Sequence, residues 1–304
     1  MSSAQQQKEL FEKNAKTFSY AAKFLGHSRA SKIFVLYEFC RVIDNIADES
    51  ADPKAAKKTL SAYRNDIEKG ASSDDYLAGF IDFLKNEGLE RQYAIELLDG
   101  VIGDCHDSIR IKTTDDLIQY CYQVAGTVGG LMCPLLGVRA CEMKNAQPAA
   151  IHLGIAMQLT NISRDIKEDA QNDRIYIPQS WISVEPSELL TRRPERQEDD
   201  ARLACVKLLN LADHHYSAAK QGYAFLPFNS RFTIMIAANL YRAIGLKIKK
   251  NKYKYWEERA FTRKIEKISH SIFSLPEIFM PHFWMRSSQK QTPYQKPQID
   301  VEKI

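Results

Sequence analysis

The sequence predicts an all-α protein, with one helical domain over residues 1–286 that packs around a central cavity and a polar, disordered tail over 287–304. Three observations carry this. Apolar residues recur at helical spacing through most of the chain, no run alternates with the period of two that a half-buried strand requires, and Gly, Ser and Pro breaks divide the chain into helix-length pieces. At 304 residues the chain is long enough to bury a large core. A net charge of +4 selects neither a nucleic-acid binder nor an acidic partner. Cys40, Cys105, Cys121, Cys133, Cys141 and Cys205 sit in apolar segments without a C-x-x-C pair or a His at zinc-ligand spacing, as reduced thiols of a cytoplasmic protein do. The N-terminus lacks an apolar stretch after a basic start, and no apolar run reaches the ~18 residues of a membrane span.

Taken in order, a first amphipathic helix covers 5–25 and ends at Gly26, and a second runs over 28–50. Helices over 51–69, 74–86 and 89–105 carry charged outer faces. His106, among Asp104, Asp107 and Arg110, lacks a second His or Cys at ligand spacing and is read as a surface histidine. The segment 113–136 opens with a capping Thr-x-Asp and continues as one apolar helix. Gly126, Gly129 and Gly130 each weaken that helix by roughly 1 kcal/mol relative to Ala, which implies close helix packing or room for a ligand. Tyr122 is its inward-facing polar residue. A long helix through Gln158 is stopped by Pro178, a polar loop covers 183–202, and helices over 201–222 and 231–250 follow, the last carrying Tyr241. Beyond it, Lys247, Lys249, Lys250, Lys252, Lys254, Arg259, Arg263 and Lys264 interleave with Tyr253, Tyr255 and Trp256, as a solvated basic face or an anion-binding surface.

The chemistry concentrates between Gln158 and Tyr176. At ~100° per residue Gln158, Asp165 and Asp169 share one narrow face with Asn161 beside them, and that face also holds Ile151, Ile155, Ile162 and Ile166. Two carboxylates one turn apart on an apolar face repel each other and need positive charge. Thr160, Arg164 and Lys167 project the other way on the wheel, which favours a divalent cation held by carboxylate and amide oxygens. A helix cap, or a buried ion pair with a distant arginine, is the alternative. The second helix repeats the spacing, with Tyr37, Arg41, Asp44 and Asp48 at i, i+4, i+7 and i+11. Its polar arc also contains Glu38, Asn45 and Glu49, so an ordinary solvated face remains open there.

The segments KTFSYA, LYEFCRVIDNIADE, YCYQVAGTVG and QLTNISRDIKEDAQNDRIYIP resemble the squalene and phytoene synthases, the head-to-head prenyl transferases, and among them bacterial phytoene synthases. The likeness runs from Lys16 to about Lys264. It implies the helical isoprenoid-synthase fold, in which two aspartate motifs face each other across a cavity and hold Mg²⁺ ions on prenyl diphosphates. Metal roles then fall to Asp44, Asp48, Asn161, Asp165 and Asp169, and substrate contacts to Asn14, Ala15, Lys16, Thr17, Phe18, Tyr37, Arg41, Gln158, Arg164, Tyr241 and Arg259. Tyr122 would steady cationic charge or assist proton transfer. The implied reaction ionises one prenyl diphosphate, joins it to a second through a cyclopropyl intermediate, and rearranges after a second ionisation.

One departure is Asn45, where the family's first motif has a second aspartate; it lies a quarter-turn from the Asp44–Asp48 stripe. Ala22 replaces a bulky aromatic of the C30 relatives and so favours C20 substrates, phytoene as product and no NADPH. The alternatives are a C30 synthase acting on farnesyl diphosphate and, in another class, a non-enzymatic assembly factor of the same fold. A substrate this hydrophobic implies peripheral membrane contact, and no nucleic-acid partner is expected. Asp165→Asn is expected to abolish turnover while leaving the melting temperature unchanged or slightly higher, because a like-charge repulsion is removed.

Overall fold

The computed structural model describes residues 24–48, 50, 52–106, 108–190 and 195–256. The described chain forms ten α-helices: α1 (His27–Asp48), α2 (Pro53–Lys69), α3 (Asp75–Asn86), α4 (Arg91–Asp104), α5 (Thr114–Cys121), α6 (Thr127–Leu135), α7 (Met143–Gln171), α8 (Pro186–Leu190), α9 (Glu195–Ala219) and α10 (Phe228–Lys250). Local chemistry sets several ends. Asp52 caps α2 by accepting from the Lys54 amide, with Pro53 at its first position, and left-handed Gly70 (φ 79°) closes it. Thr113 and Asp116 form a reciprocal capping box at α5. Gly26 has φ 78°, as a chain reversal before α1 requires.

α7 is the central helix, packed against α6, α8, α9 and α10, and it buries residues around most of its circumference, from Ala146 and Ile151 to Ser163 and Ile166. On one side α1, α2, α3, α4 and α6 share a core in which Phe39 stacks on Phe80 at 3.7 Å between ring centroids. On the other, α5, α7 and α9 bury Leu159, Ile162, Cys205 and Leu208. No described helix is long and apolar enough to cross a membrane.

Four expectations need correction. The segment 113–136 is not one regular helix, because a π-helical turn over Tyr122–Gly126 separates α5 from α6, with the Thr127 amide bonding back to the Tyr122 carbonyl. α7 ends at Gln171, seven residues before Pro178, and the chain then enters a strand. That strand, β2 (Arg174–Ile175), pairs in parallel with β1 (Ile109–Arg110), and two residues are too few to leave an alternating pattern in sequence. The supposed loop over 183–202 contains α8 and the first turns of α9. The predicted helix over 5–25 lies almost entirely outside the described residues, as does the tail over 287–304.

The glycines act as spacers. A Cβ on Gly129 would lie 2.2 Å from the Ala150 carbonyl oxygen, and one on Gly154 would lie 2.2 Å from that of Ala125, so α6 and the π turn press backbone to backbone on α7. Gly154→Ala should therefore force the two segments apart and lower stability by roughly 1–3 kcal/mol. Gly79→Ala, on α3 with nothing within 4 Å, should be neutral or stabilising by up to ~1 kcal/mol. Thermal or urea denaturation of both variants compares them directly.

Candidate active site

α1 and α7 reach the same place by the same pattern. On α1, Ile33, Leu36, Tyr37 and Cys40 line a cavity of about 290 Å³, and the stripe continues through Asp44 to Asp48. On α7 the cavity wall runs from Ala146 to Asn161 and the stripe continues through Asp165 to Asp169. Both helices thus pass from an apolar wall to an acidic end in their C-terminal turns. Helix C-termini carry unpaired carbonyls and negative potential, and neither last turn contains a basic residue.

The cost of this placement appears in the carboxylates. Burial pushes Asp44 up to about 6, helped by repulsion from Asp48. Burial and then Asp165 push Asp169 up to about 7. Asp104, at the end of α4, is raised to about 6 by burial, although it accepts from the Tyr120 hydroxyl (2.9 Å) and the Tyr176 hydroxyl (3.2 Å). Asp44 and Asp169 both feel Asp104, so the acidic groups of α1, α4 and α7 form one electrostatic neighbourhood.

Two arginines partly answer that charge, and here the wheel misled. Arg164 folds back along α7, and its Nε donates to Asp165 Oδ1 at 2.8 Å while Nη2 reaches Oδ2. A wheel gives the direction of Cβ, whereas a guanidinium several bonds further out turns towards the nearest carboxylate. Arg174, on β2, donates from Nη1 and Nη2 to Asp48 Oδ1 at 3.0 and 3.1 Å. Arg174 thus ties the end of α1 to the chain just beyond α7. The β1–β2 bridge holds it there: Arg110 donates to the Asp173 carbonyl (2.6 Å) and carboxylate (2.7 Å), and Asp173 takes a left-handed φ of 57°.

Between the acidic end and the apolar wall lies a narrow polar band. Tyr37, Gln158, Asn161 and Tyr241 line the cavity there. The Asn161 amide nitrogen donates to Gln158 Oε1 at 3.3 Å, and its Oδ1 is buried without a hydrogen-bond partner, as is Nε of Arg41. Tyr241 lies close to Arg164 and Asp165, which places α10 against this band. Among the described residues no three His, Cys, Asp or Glu side chains converge into a ready-made metal cluster. The donors nonetheless suit a hard divalent cation: carboxylates kept together against their repulsion and one orphaned amide oxygen. Mg²⁺ commonly takes one or two carboxylates and completes its shell with water and substrate phosphates, so a closed protein cage is not required.

Tyr122 packs against the core cluster that holds Ile151 and Ile155 of α7. Its hydroxyl donates to Glu96 on α4, whose other oxygen accepts from Gln92 at 3.0 Å, and the cavity wall next to it is made by Val124, Ala125 and Val128. The π turn rephases the helix for the residues that follow Tyr122. Asn14, Ala15, Lys16, Thr17, Phe18, Ala22 and Arg259 lie outside the described residues. Of the basic run, Lys249 pairs with Asp213 at 2.7 Å beside Arg242. Asp104, Tyr120, Arg174 and Tyr176 escaped notice in sequence. Asp104 carried the signal used elsewhere, since it extends the buried stripe Ala94, Leu97, Val101 by three residues.

A family model described as squalene/phytoene synthase matches residues 11–266. A 15-cis-phytoene synthase of Enterobacter agglomerans is 33% identical over 279 residues, covering 85% of this chain and 90% of that protein. A phytoene synthase of Rhodobacter capsulatus is 33% identical over 271 residues, covering 86% and 77%. Among solved structures, a dehydrosqualene synthase in complex with ligand superposes with a TM-score of 0.79 at 25% identity, covering 90% of this chain and 96% of its own. A squalene synthase from Alicyclobacillus acidocaldarius, at 18% identity, shares the fold with a TM-score of 0.70 over 82% and 94%.

The raised carboxylates have a signed consequence. A carboxyl whose folded pKa lies above its unfolded value binds its proton more tightly in the folded state. Its contribution is therefore favourable at low pH and is lost as pH rises from the unfolded value to the folded one. Asp169, raised to about 7, bears this penalty, and removing the Asp165 carboxylate would leave Arg164 without its ion pair. The stabilising effect first assigned to Asp165→Asn thus moves to Asp169→Asn. In metal-free buffer its melting temperature should exceed that of the wild type by a margin near zero at about pH 4, growing until about pH 7 and constant above. Asp165→Asn should melt no higher than the wild type at any of these pH values.

Proposed function

The chain belongs to the squalene/phytoene synthase family, and we propose on that footing that it condenses two geranylgeranyl diphosphates head to head, through prephytoene diphosphate, to phytoene, the first step of carotenoid synthesis. The observation that carries this is the convergence of two helices, α1 and α7, each running from an apolar cavity wall to a pair of aspartates. Asp44, Asp48, Asn161, Asp165 and Asp169 would hold Mg²⁺, which supplies the charge neutralisation that makes diphosphate a leaving group. Arg41, with a buried unpartnered Nε, and Arg174 bring positive charge to the same end for the phosphate oxygens. As the carbon–oxygen bond breaks, the electron pair leaves with the diphosphate and the allylic cation remains against an apolar wall that excludes water. Tyr37 and Tyr241 line the boundary, where an aromatic face stabilises positive charge. The double bond of the second substrate attacks that cation, and loss of a proton from the joined chain closes the cyclopropane of prephytoene diphosphate; departure of the second diphosphate, rearrangement and loss of a second proton then give phytoene.

The relatives at 33% identity named for phytoene synthesis support the C20 substrate. A C30 reading, from farnesyl diphosphate, has the likeness to dehydrosqualene synthase in its favour. The retained aspartates weigh against a non-enzymatic role. We place the enzyme in the cytoplasm with peripheral membrane contact, on its free cysteines and its hydrophobic product. Incubation with Mg²⁺ and either C15 or C20 diphosphate, without NADPH, followed by mass analysis of the hydrocarbon, should yield phytoene from C20. Exclusive turnover of C15 would overturn the assignment. Chelation should abolish turnover, and Asp165→Asn should lower kcat by about a hundredfold or more.

A further inference from the structure

We infer that the first turns of α7 set substrate length: Ala146 and Ala149, closed over by Gly222, form the stop for the last isoprene unit of a C20 chain. This rests on the prenyl diphosphate reading above and adds the residues that select among such substrates.

The α7 residues on the cavity wall are spaced by threes and fours from Ala146 to Asn161, so one face of one helix lines the cavity along its length. Fifteen residues at the helical rise span ~22 Å. Each isoprene unit adds four backbone bonds, ~5 Å when extended, so a C15 tail reaches ~15 Å and a C20 tail ~20 Å. At the Asn161 end, a buried amide oxygen without a partner faces the polar band and points to a ligand headgroup there. A C15 chain anchored at that end stops short of Ala150, ~16 Å away, whereas a C20 chain passes Ala149, ~18 Å away, and ends ~2 Å short of Ala146. The ~5 Å of wall before Ala146 is therefore where the two substrates differ.

That end is closed by an independent element. The 3₁₀ segment Lys220–Phe225 lays Gly222 so close to α7 that a Cβ there would stand 2.7 Å from Ala149 Cβ. Ala219 and Tyr223 line the same end. Ala146 and Ala149 are 3% and 6% exposed, so a larger side chain at either has only the cavity or the Gly222 backbone to enter. A bulkier group here shortens the cavity and leaves the acidic end, which begins at Asp165 more than fifteen residues along α7, untouched.

The test uses the full chain with Mg²⁺, Ala146→Leu and Ala149→Leu, and Ala146→Val as a smaller step in case either fails to fold. Dissociation constants and kcat/KM are measured for C15 and C20 diphosphates, with melting temperature as the folding check. The expected result is a loss of tenfold or more in C20 binding and turnover, with C15 binding within about threefold of the wild type. A C20-to-C15 ratio unchanged in folded variants, or an equal loss for both substrates, overturns the stop. A wild type that turns over neither substrate counts against the proposed function, while the binding ratio still decides the stop.

Discussion

Like charge at the ends of two helices is the constraint on which the rest of the structure depends. Asp44, Asp48, Asp165 and Asp169 occupy the C-terminal turns of α1 and α7, where the backbone already presents negative potential, and Asp104 adds a further carboxylate from α4. Such an arrangement stands only if other parts of the molecule contain it. The Tyr120 and Tyr176 hydroxyls supply hydrogen bonds to Asp104, Arg174 holds Asp48, Arg164 holds Asp165, and the long apolar stripes beneath anchor both helices in the core. Asp44 and Asp169 remain raised in spite of these partners. The folded chain thus keeps an unmet demand for positive charge at one end of its cavity.

Much of this was legible in the residues. Stripes at i, i+7 and i+11 located both acidic pairs because α1 and α7 are regular along their length, so the angular position of a side chain follows from its number. The glycines announced close packing for the same reason. What stayed hidden depends on contacts between segments far apart in sequence or on irregular backbone. Arg174 lies beyond the end of α7 and is positioned by a two-residue bridge to Ile109 and Arg110, which no periodicity foretells. Arg164 was misplaced because its guanidinium swings back towards Asp165. Val124, Ala125 and Val128 were not singled out as cavity residues because a π turn interrupts the count.

Packing and cavity are made from the same residues. Gly129, Ala150 and Gly154 bring α6 and the π turn against α7 and also line the cavity wall. The width of the cavity is therefore tied to the closest backbone approach in the core, and a substitution on that seam alters both. The opposite wall, from α1 and α10, meets it through larger side chains such as Ile33, Leu36 and Ile234. The cavity is bounded by a rigid seam on one side and by replaceable side chains on the other.

The π turn at Tyr122–Gly126 lets a single rod face two neighbours. Before it, Tyr120 turns its hydroxyl to Asp104; Val124 and Ala125 within it and Val128 after it face the cavity. A regular helix could not satisfy both, since the extra residue supplies a rotation of roughly 100°. This segment is consequently keyed like a bolt: sliding it by one residue to please one neighbour would wrong-foot the other. Insertions and deletions that surface loops absorb freely have no harmless place between Tyr120 and Val128.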